Sequence, residues 1–232
     1  MSIGEHLAEA RKRLLIAIGA IILGGIVSFI AYPQILHWLQ SPYCQLDPHH
    51  CTFYVTGPLD GLTLRIKIGF FGGLLLASPV VFYEIWSFIT PGLKQKEKRY
   101  VIPFVGASVF FFVAGCAMAY YSFGHALKFL QAIGGHELTQ IFSPNAYLGL
   151  ILLMMMAFGV TFEFPVILVS LELAGVVTPA QLLRGWRWAV IGIAIASATL
   201  TPSGDPFSMF ALMTPLLFFY FGSIGVGKLA RK

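Results

Sequence analysis

The chain has 232 residues, of which 57% are hydrophobic and 11% are charged. A soluble domain carries about 25% charged residues, so this composition excludes a soluble globular protein and indicates a polytopic membrane protein. The formal net charge of +5 does not indicate a nucleic-acid partner, because the cations lie mainly in the connections between apolar segments.

Six apolar segments predict an all-α protein with six transmembrane helices in a single domain, residues 1–232. A helix needs about 20 apolar residues to cross a hydrocarbon core of about 30 Å. The predicted spans are about 14–39, 68–89, 100–121, 146–171, 188–200 and 207–224. The last two are predicted to be short, because only 17 residues (188–204) separate Arg187 from Asp205 and these include a turn. We expect such a short hairpin to thin the bilayer around it.

The distribution of Lys and Arg predicts which ends of the spans face the cytoplasm. Twelve of the 15 precede the first span, lie between spans two and three or four and five, or follow the sixth. Only Arg65, Lys67 and Lys128 fall on the opposite side. Both termini are therefore predicted to be cytoplasmic.

Two of the three cysteines, Cys44 and Cys51, fall in the first predicted outer loop, in a compartment that permits disulfides. Their spacing is compatible with a disulfide and also with two free thiols, so both alternatives stay open. Cys116 lies within a predicted span, where a free thiol packs as a small apolar group.

Four Ser/Thr-Pro pairs lie near the starts of predicted helices. A Ser or Thr N-cap accepts a hydrogen bond from an otherwise unpaired amide, and Pro fits the first helical position. The pairs are Thr90-Pro91, Ser143-Pro144, Thr178-Pro179 and Thr201-Pro202. We interpret all but the last as purely structural.

The fourth span contains a carboxylate in its middle, Glu163, within the run FGVTFEFPVIL. An ionised carboxylate in hydrocarbon is costly, so this residue is a candidate functional site. Pro165 has no amide to donate to the Thr161 carbonyl, which predicts a bend in the helix beside Glu163. Two alternatives stay open: Glu163 bonds to its own helix, for example to the Gly159 carbonyl, or it binds a polar group of a docked partner helix or signal peptide.

Two acids lie in the predicted cytoplasmic regions. Glu9 stands four residues before Arg13, which predicts a local helical ion pair. Glu97 is surrounded by four cations in FITPGLKQKEKR. One interpretation is two solvated surface pairs. The other is a binding site for an arginine-rich peptide, because guanidinium binds carboxylate bidentately.

The sequence lacks the motifs of hydrolytic enzymes and nucleotide-binding proteins. None of the six histidines falls in the middle of a span, and neither HExxH, GxSxG nor a P-loop occurs. We therefore expect no enzymatic activity, no metal site and no cofactor.

Four motifs occur in the order found in one family: HLAEARKRL, FITPGLKQKEKR, FGVTFEFPVIL and TPSGDPFSM. With them the chain resembles, over essentially its whole length, the TatC family, the six-span receptor subunit of the twin-arginine translocase. Ala10 and Met209 depart from the leucine and glutamine usual in that family. The resemblance implies a bacterial inner-membrane subunit that binds twin-arginine signal peptides and exports folded proteins using the proton-motive force. The implied partners are membrane lipid and the single-span proteins TatA and TatB, in a multimeric complex.

The resemblance also implies roles for individual residues. The implied signal-peptide site comprises Glu9, Arg11, Arg13, Phe88, Pro91, Gly92, Leu93 and Glu97. The implied intramembrane docking position is Glu163 with Pro165, and the implied outer turn contains Thr201, Pro202, Ser203 and Asp205. A competing interpretation is a small-solute or ion transporter that uses Glu163 as its proton or cation site. A proton relay usually needs several intramembrane ionisable groups, and Glu84 is the only other candidate.

Overall fold

The computed structural model describes residues 3–45, 53–55, 57–89, 101–134 and 143–230. Regular secondary structure within these ranges is helical, which confirms the predicted all-α class. The helices are α1 (Ile3–Ile30), α2 (Tyr32–Cys44), α3 (Asp60–Ile89), α4 (Val101–Gly134), α5 (Pro144–Thr161), α6 (Phe164–Leu173), α7 (Pro179–Arg184), α8 (Trp186–Leu200) and α9 (Pro206–Ala230).

Five segments of the described chain are long and apolar enough to cross a membrane, which together with one shorter apolar helix agrees with the six predicted spans. The long segments are Gly4–Ile30, Asp60–Ile89, Val101–Ile133, Pro144–Leu173 and Pro206–Lys228. The shorter helix is α8, whose 15 residues give a length of about 22 Å, less than the hydrocarbon core of about 30 Å. By contrast, α9 has 25 residues and extends beyond the predicted span 207–224, so the prediction of a short span is confirmed for α8 and wrong for α9.

The first span differs most from its predicted range. The range 14–39 includes the junction between α1, which ends at Ile30, and α2, which begins at Tyr32. Pro33 explains this junction, because it has no amide to donate to the Phe29 carbonyl. Since α1 already begins at Ile3, the charged residues that precede the predicted span also lie on regular helix.

The chain groups into two compact units. Unit 1 comprises Met1–Gln40 and Val55–Phe110, and unit 2 comprises Ser41–Tyr54 and Phe111–Lys232. The single transmembrane domain expected from the sequence stays a prediction.

Within unit 1, α1 and α3 pack against each other at glycines. A Cβ atom built on Gly73 would lie 2.7 Å from the Ile21 carbonyl oxygen and 2.7 Å from the Gly25 nitrogen. The two backbones approach this closely because neither Gly25 nor Gly73 carries a side chain. The glycines therefore fix the register of α1 along α3.

The two helices are antiparallel. His6, in the second turn of α1, stacks on Phe88 at the end of α3 with 4.5 Å between ring centroids. At the other end, the Arg65 guanidinium lies 5.9 Å from the centroid of the Phe29 ring. The charged start of α1 consequently lies beside the C-terminal end of α3.

Pro79 lies inside α3 and does not end the helix. It has no amide to donate to the Leu75 carbonyl, but the Ser78 hydroxyl donates to that carbonyl at 2.8 Å. The freed acceptor is therefore satisfied locally, and α3 continues to its acidic end near Glu84.

Within unit 2, α6, α7 and α8 all pack on α9. The Tyr220 hydroxyl of α9 donates to the Leu182 carbonyl of α7 at 2.7 Å. The C-terminal part of α4 approaches α5 closely, because a Cβ atom on Gly159 would lie only 2.8 Å from the Phe112 ring. These contacts position α5 and α6, which lie on either side of Glu163.

Unit 2 contains an aromatic cluster around Tyr147. Its ring contacts those of Tyr43, Phe53 and Phe123 at centroid distances of 5.7, 5.2 and 5.3 Å. Cys44 beside Tyr43 forms a disulfide, and Cys51 lies outside the described residues. Cys116 is a buried free thiol, as predicted.

Two of the Ser/Thr-Pro helix starts are confirmed. Ser143-Pro144 opens α5, and the Ser143 side chain accepts a hydrogen bond from the Ala146 amide. Thr178-Pro179 opens α7, where Thr178 and Gln181 form a capping box. The pair at 90–91 lies outside the described residues.

Candidate functional site

A cluster of three charged residues lies where the start of α1 meets the end of α3, and we call it the Glu9–Arg13–Glu84 cluster. Arg13 Nε and Nη2 both donate to Glu9 Oε1, at 3.1 and 2.6 Å. Arg13 Nη1 donates to Glu84 Oε2 at 3.1 Å. The side chains of Arg13, Glu9 and Glu84 are 24%, 22% and 11% exposed. One partly buried guanidinium thus bridges two carboxylates.

The cluster carries a surplus of negative charge. Two ionised carboxylates and one guanidinium sum to a formal charge of −1. Oε2 of Glu9 is buried and accepts no hydrogen bond from the part of the chain that the structure describes. An unsatisfied buried acceptor costs free energy, so the cluster is suited to bind one more cationic hydrogen-bond donor.

The local sequence explains the contact between Glu9 and Arg13 but not the contact between Arg13 and Glu84. Glu9 and Arg13 are spaced i, i+4 on α1, and the predicted helical ion pair is confirmed. Glu84 is 71 residues away in sequence from Arg13, and the antiparallel packing of α1 on α3 brings it there. In the sequence Glu84 is only a candidate second residue of a transporter, and no local pattern predicts its contact with Arg13.

An aromatic pair lies next to the cluster. Phe88 follows Glu84 by one helical turn and stacks on His6, which precedes Glu9 by one turn. The structure therefore brings three of the residues implied by the family resemblance together: Glu9, Arg13 and Phe88. Arg11, which was implied as well, is exposed.

Four other implied residues lie outside the described residues, namely Pro91, Gly92, Leu93 and Glu97. The two ends of their connection are held by Trp86. Its indole nitrogen donates to Ser108 Oγ at 2.9 Å, and its ring stacks on Phe104 at 4.7 Å. The end of α3 and the start of α4 are therefore fixed to each other within unit 1.

Glu163 lies at an interruption of the fourth span, which confirms the irregularity predicted beside it. α5 ends at Thr161 and α6 begins at Phe164. The Glu163 amide donates to the Val160 carbonyl at 3.1 Å, an i, i+3 bond in place of the α-helical one. Pro165, in the first turn of α6, causes this change because it cannot donate to the Thr161 carbonyl.

A second acid in the same span, Glu172, was missed by sequence reasoning. It lies near the end of α6 and is 1% exposed. A Cβ atom on Gly227 of α9 would collide with the Glu172 carboxylate, so this carboxylate packs directly against the glycine. The contact between Glu172 and Gly227 cannot be predicted from either sequence segment alone.

The turn between α8 and α9 corrects one prediction. Thr201-Pro202 does not start a helix: Thr201 donates to the Ser197 carbonyl at 2.6 Å and caps the end of α8. The helix starts instead at Pro206, and Asp205 Oδ1 accepts a hydrogen bond from the Ser208 amide at 2.7 Å.

The remaining residues of the turn support that cap. Ser203 Oγ donates to the second carboxylate oxygen of Asp205. Gly204 adopts a left-handed backbone with φ +61°, which a residue with a side chain rarely adopts. Ser203 and Asp205 thus form a local hydrogen-bonded turn, and Asp205 is 1% exposed.

The whole chain is similar to proteins of one translocase family. The family model described as "Sec-independent protein translocase protein (TatC)" matches residues 5–215. The protein of that name from Frankia casuarinae is 39% identical over 99% of this chain and 66% of its own length. The one from Synechocystis sp. is 36% identical over 100% of this chain and 90% of its own length.

Solved structures agree. A crystal structure described as the twin arginine translocase receptor TatC has a TM-score of 0.79 and 34% identity, and covers 98% of this chain and 100% of that one. A second, in DDM, has a TM-score of 0.81 and 33% identity, and covers 96% of this chain and 99% of that one. The chain therefore belongs to the TatC family of Sec-independent protein translocase proteins, which are multi-span membrane proteins and not enzymes.

Proposed function

We propose that this chain is the receptor subunit that binds twin-arginine signal peptides, and that the Glu9–Arg13–Glu84 cluster receives an arginine of the pair. Glu97, from the connection after α3, completes the acidic site in this proposal. With TatA- and TatB-type partners the complex exports folded proteins across the bacterial inner membrane, using the proton-motive force. Membership of the TatC family disfavours the alternative of a small-solute or ion transporter.

The observation that carries the proposal is the surplus charge of the cluster. Glu9 has a buried carboxylate oxygen that accepts no hydrogen bond from the described residues, and the cluster has a formal charge of −1. One incoming guanidinium neutralises that charge and satisfies that oxygen. The surplus is local, because the chain as a whole has a net charge of +5.

The surroundings of the cluster suit a peptide that has an apolar segment after its charged region. Phe88 lies beside the cluster, and the side chains of Leu7, Ile85 and Ile89 on the same helix ends are 65%, 46% and 47% exposed. Apolar surface of this kind next to an acidic site supports binding of a cationic and then apolar sequence.

We place the cluster and both termini on the cytoplasmic side. The support is the distribution of cations, since 12 of the 15 Lys and Arg residues fall in the regions assigned to that side. In this orientation the cluster faces cargo that has just been synthesised, and the turn at 201–205 faces the outside.

Glu163 has a separate role in the proposal, as the polar docking position for a partner helix. It lies within the apolar segment Pro144–Leu173, at the interruption between α5 and α6. A hydrogen-bonding side chain at this depth is suited to a polar group on a single-span partner or on an inserted signal peptide.

The test of the receptor function measures binding of a fluorescent twin-arginine signal peptide to the full chain in lipid nanodiscs. Glu9→Gln removes the carboxylate charge and keeps a similar shape, so we expect the affinity to fall at least about tenfold. Glu97→Gln is expected to act in the same direction. Glu5→Gln, which makes the same charge change one turn earlier on α1, is the matched control and should bind normally. Unchanged affinity in both Glu9→Gln and Glu97→Gln would eliminate the proposal.

A further inference from the structure

Arg13 occupies Oε1 of Glu9, and an incoming guanidinium that binds this carboxylate bidentately needs Oε1 as well as Oε2. Its Nε and Nη2 donate to Glu9 and its Nη1 donates to Glu84, so all three guanidinium nitrogens are engaged with carboxylates. An internal guanidinium therefore lies where the proposed ligand would place its own. The neighbouring cations of α1, Arg11 and Lys12, are exposed and make no such contact among the described residues.

We propose that Arg13 is a specificity-determining residue of the signal-peptide site: it is an internal guanidinium that an incoming arginine displaces from Glu9 onto Glu84. The inference rests on the proposed function, because it concerns the same site. It adds a role for Arg13 as competitor and for Glu84 as the residue that receives it.

The chemistry of the two basic side chains explains why such a competitor selects arginine. Arg13 makes two hydrogen bonds to one oxygen of Glu9 with its planar fork. An incoming guanidinium has the same fork and replaces both bonds. A lysine ammonium is a compact and strongly hydrated point charge, so it does not match the pair of bonds that it has to displace. The internal arginine therefore penalises lysine more than arginine.

Glu84 makes the displacement possible. After the exchange the cluster holds two carboxylates and two guanidiniums, which balances its charge. Glu84 is 11% exposed and Glu9 is 22% exposed, so Arg13 keeps its contact with the more deeply buried carboxylate. An ion pair is stronger in the less hydrated environment. Without Glu84, the displaced Arg13 has no carboxylate partner. Arg13 then competes with the ligand for Glu9.

The first experiment measures discrimination. Two fluorescent signal peptides, one with an Arg-Arg pair and one with Lys-Lys in its place, are titrated against the full chain in nanodiscs. The readout is the dissociation constant of the Lys-Lys peptide divided by that of the Arg-Arg peptide. Arg13→Gln is expected to lower this ratio about tenfold, mainly because the Lys-Lys peptide binds more tightly to the uncovered carboxylates. Arg13→Lys keeps the charge without the fork and is expected to lower the ratio as well.

The matched control is Lys12→Gln, which removes the same charge from the exposed neighbouring residue. It is expected to leave the ratio within about twofold of the unmodified chain. A ratio that is unchanged in Arg13→Gln or in Arg13→Lys overturns the inference. So does an equal loss of both peptides in Arg13→Gln, since that result assigns Arg13 a structural role.

The second experiment tests whether Glu84 receives the displaced Arg13. Glu84→Gln is expected to weaken binding of the Arg-Arg peptide about tenfold, because Arg13 then has only Glu9 as a charged partner. Adding Arg13→Gln to Glu84→Gln removes the competitor and is expected to restore most of the affinity. A merely structural role of Glu84 predicts no rescue, so a double variant that binds no better than Glu84→Gln contradicts the inference.

The same measurements separate this inference from the proposed function. If the unmodified chain binds both peptides equally, or if Glu9→Gln and Glu97→Gln bind normally, the receptor function itself fails. If the unmodified chain prefers Arg-Arg, Glu9→Gln is defective and Arg13→Gln retains full discrimination, the receptor function stands and only the role of Arg13 fails.

Discussion

The Glu9–Arg13–Glu84 cluster in unit 1 and Glu163 in unit 2 present the same functional group in two environments. Glu9 has a guanidinium at 2.6 Å and lies near the start of α1. Glu163 has apolar residues or glycine at the positions three and four residues before and after it, and it lies where a proline interrupts a span. The comparison teaches that helical neighbours decide the use of a carboxylate. A charged neighbour makes ligand exchange possible, whereas an apolar environment favours a hydrogen bond to a polar group of a partner.

The largest effect is expected from Gly73→Ala, which disrupts the cluster without changing a charged residue. Gly73→Ala places a Cβ atom 2.7 Å from backbone atoms of α1, so α1 and α3 have to separate. Overpacking of this kind typically costs about 1–3 kcal/mol, and the shift moves Glu84 away from Arg13. We expect a lower Tm and the loss of most twin-arginine peptide binding.

The matched control is Gly61→Ala on the same helix, where nothing lies within 4 Å of the added atom. Alanine favours helix over glycine, so this variant should bind normally and have an unchanged or higher Tm. Equal behaviour of the two variants would show that the α1–α3 register does not position the cluster.

The next effect concerns the other carboxylate. Glu163→Leu removes the hydrogen-bonding group from the interrupted span, and we expect export of a folded reporter to fall at least about tenfold. Glu163→Gln keeps a hydrogen-bonding side chain and should retain most of the export, and Glu163→Ala should resemble Leu. The comparison between the two regions sharpens if all three variants still bind the signal peptide, because binding then does not depend on the Glu163 side chain. Normal export by Glu163→Leu would remove any docking role.

The smallest effect concerns Asp205, which belongs neither to the Glu9–Arg13–Glu84 cluster nor to the interruption at Glu163. Asp205→Ala removes the acceptor for the Ser208 amide at the start of α9, and the loss of such a cap costs about 1 kcal/mol. We expect a modest decrease in Tm and normal peptide binding. Ser203→Ala, which removes the other hydrogen bond to Asp205, should have a smaller effect on Tm. A large loss of binding in Asp205→Ala would mean that the turn between α8 and α9 supports the peptide site as well.

The sequence predicted those parts of the structure that depend on interactions between residues close together in the chain. The Glu9–Arg13 pair follows from i, i+4 spacing, and the irregularity beside Glu163 follows from Pro165. Two proline-opened helices follow from Ser143 and Thr178 as caps. Each of these depends on interactions within a few residues.

The contacts that were missed depend on packing between distant segments. Glu84 reaches Arg13 only because glycines let α1 and α3 approach closely, and no local pattern reveals that register. Glu172 lies against Gly227 for the same reason. The failure at Thr201-Pro202 has a local cause: Thr201 caps the end of α8, and Asp205 and Pro206 provide a better helix start four residues later, after the turn that contains Gly204.

The most direct test of the central claim is a double-mutant cycle between Glu9 and the peptide arginines. Binding is measured for the unmodified chain and for Glu9→Gln, each with the Arg-Arg peptide and with peptides in which the first or the second arginine is replaced by glutamine. If Glu9 binds one of the arginines, the effects of Glu9→Gln and of that replacement are not additive, and the coupling is about tenfold or more. Effects that multiply independently for both arginines would contradict the account.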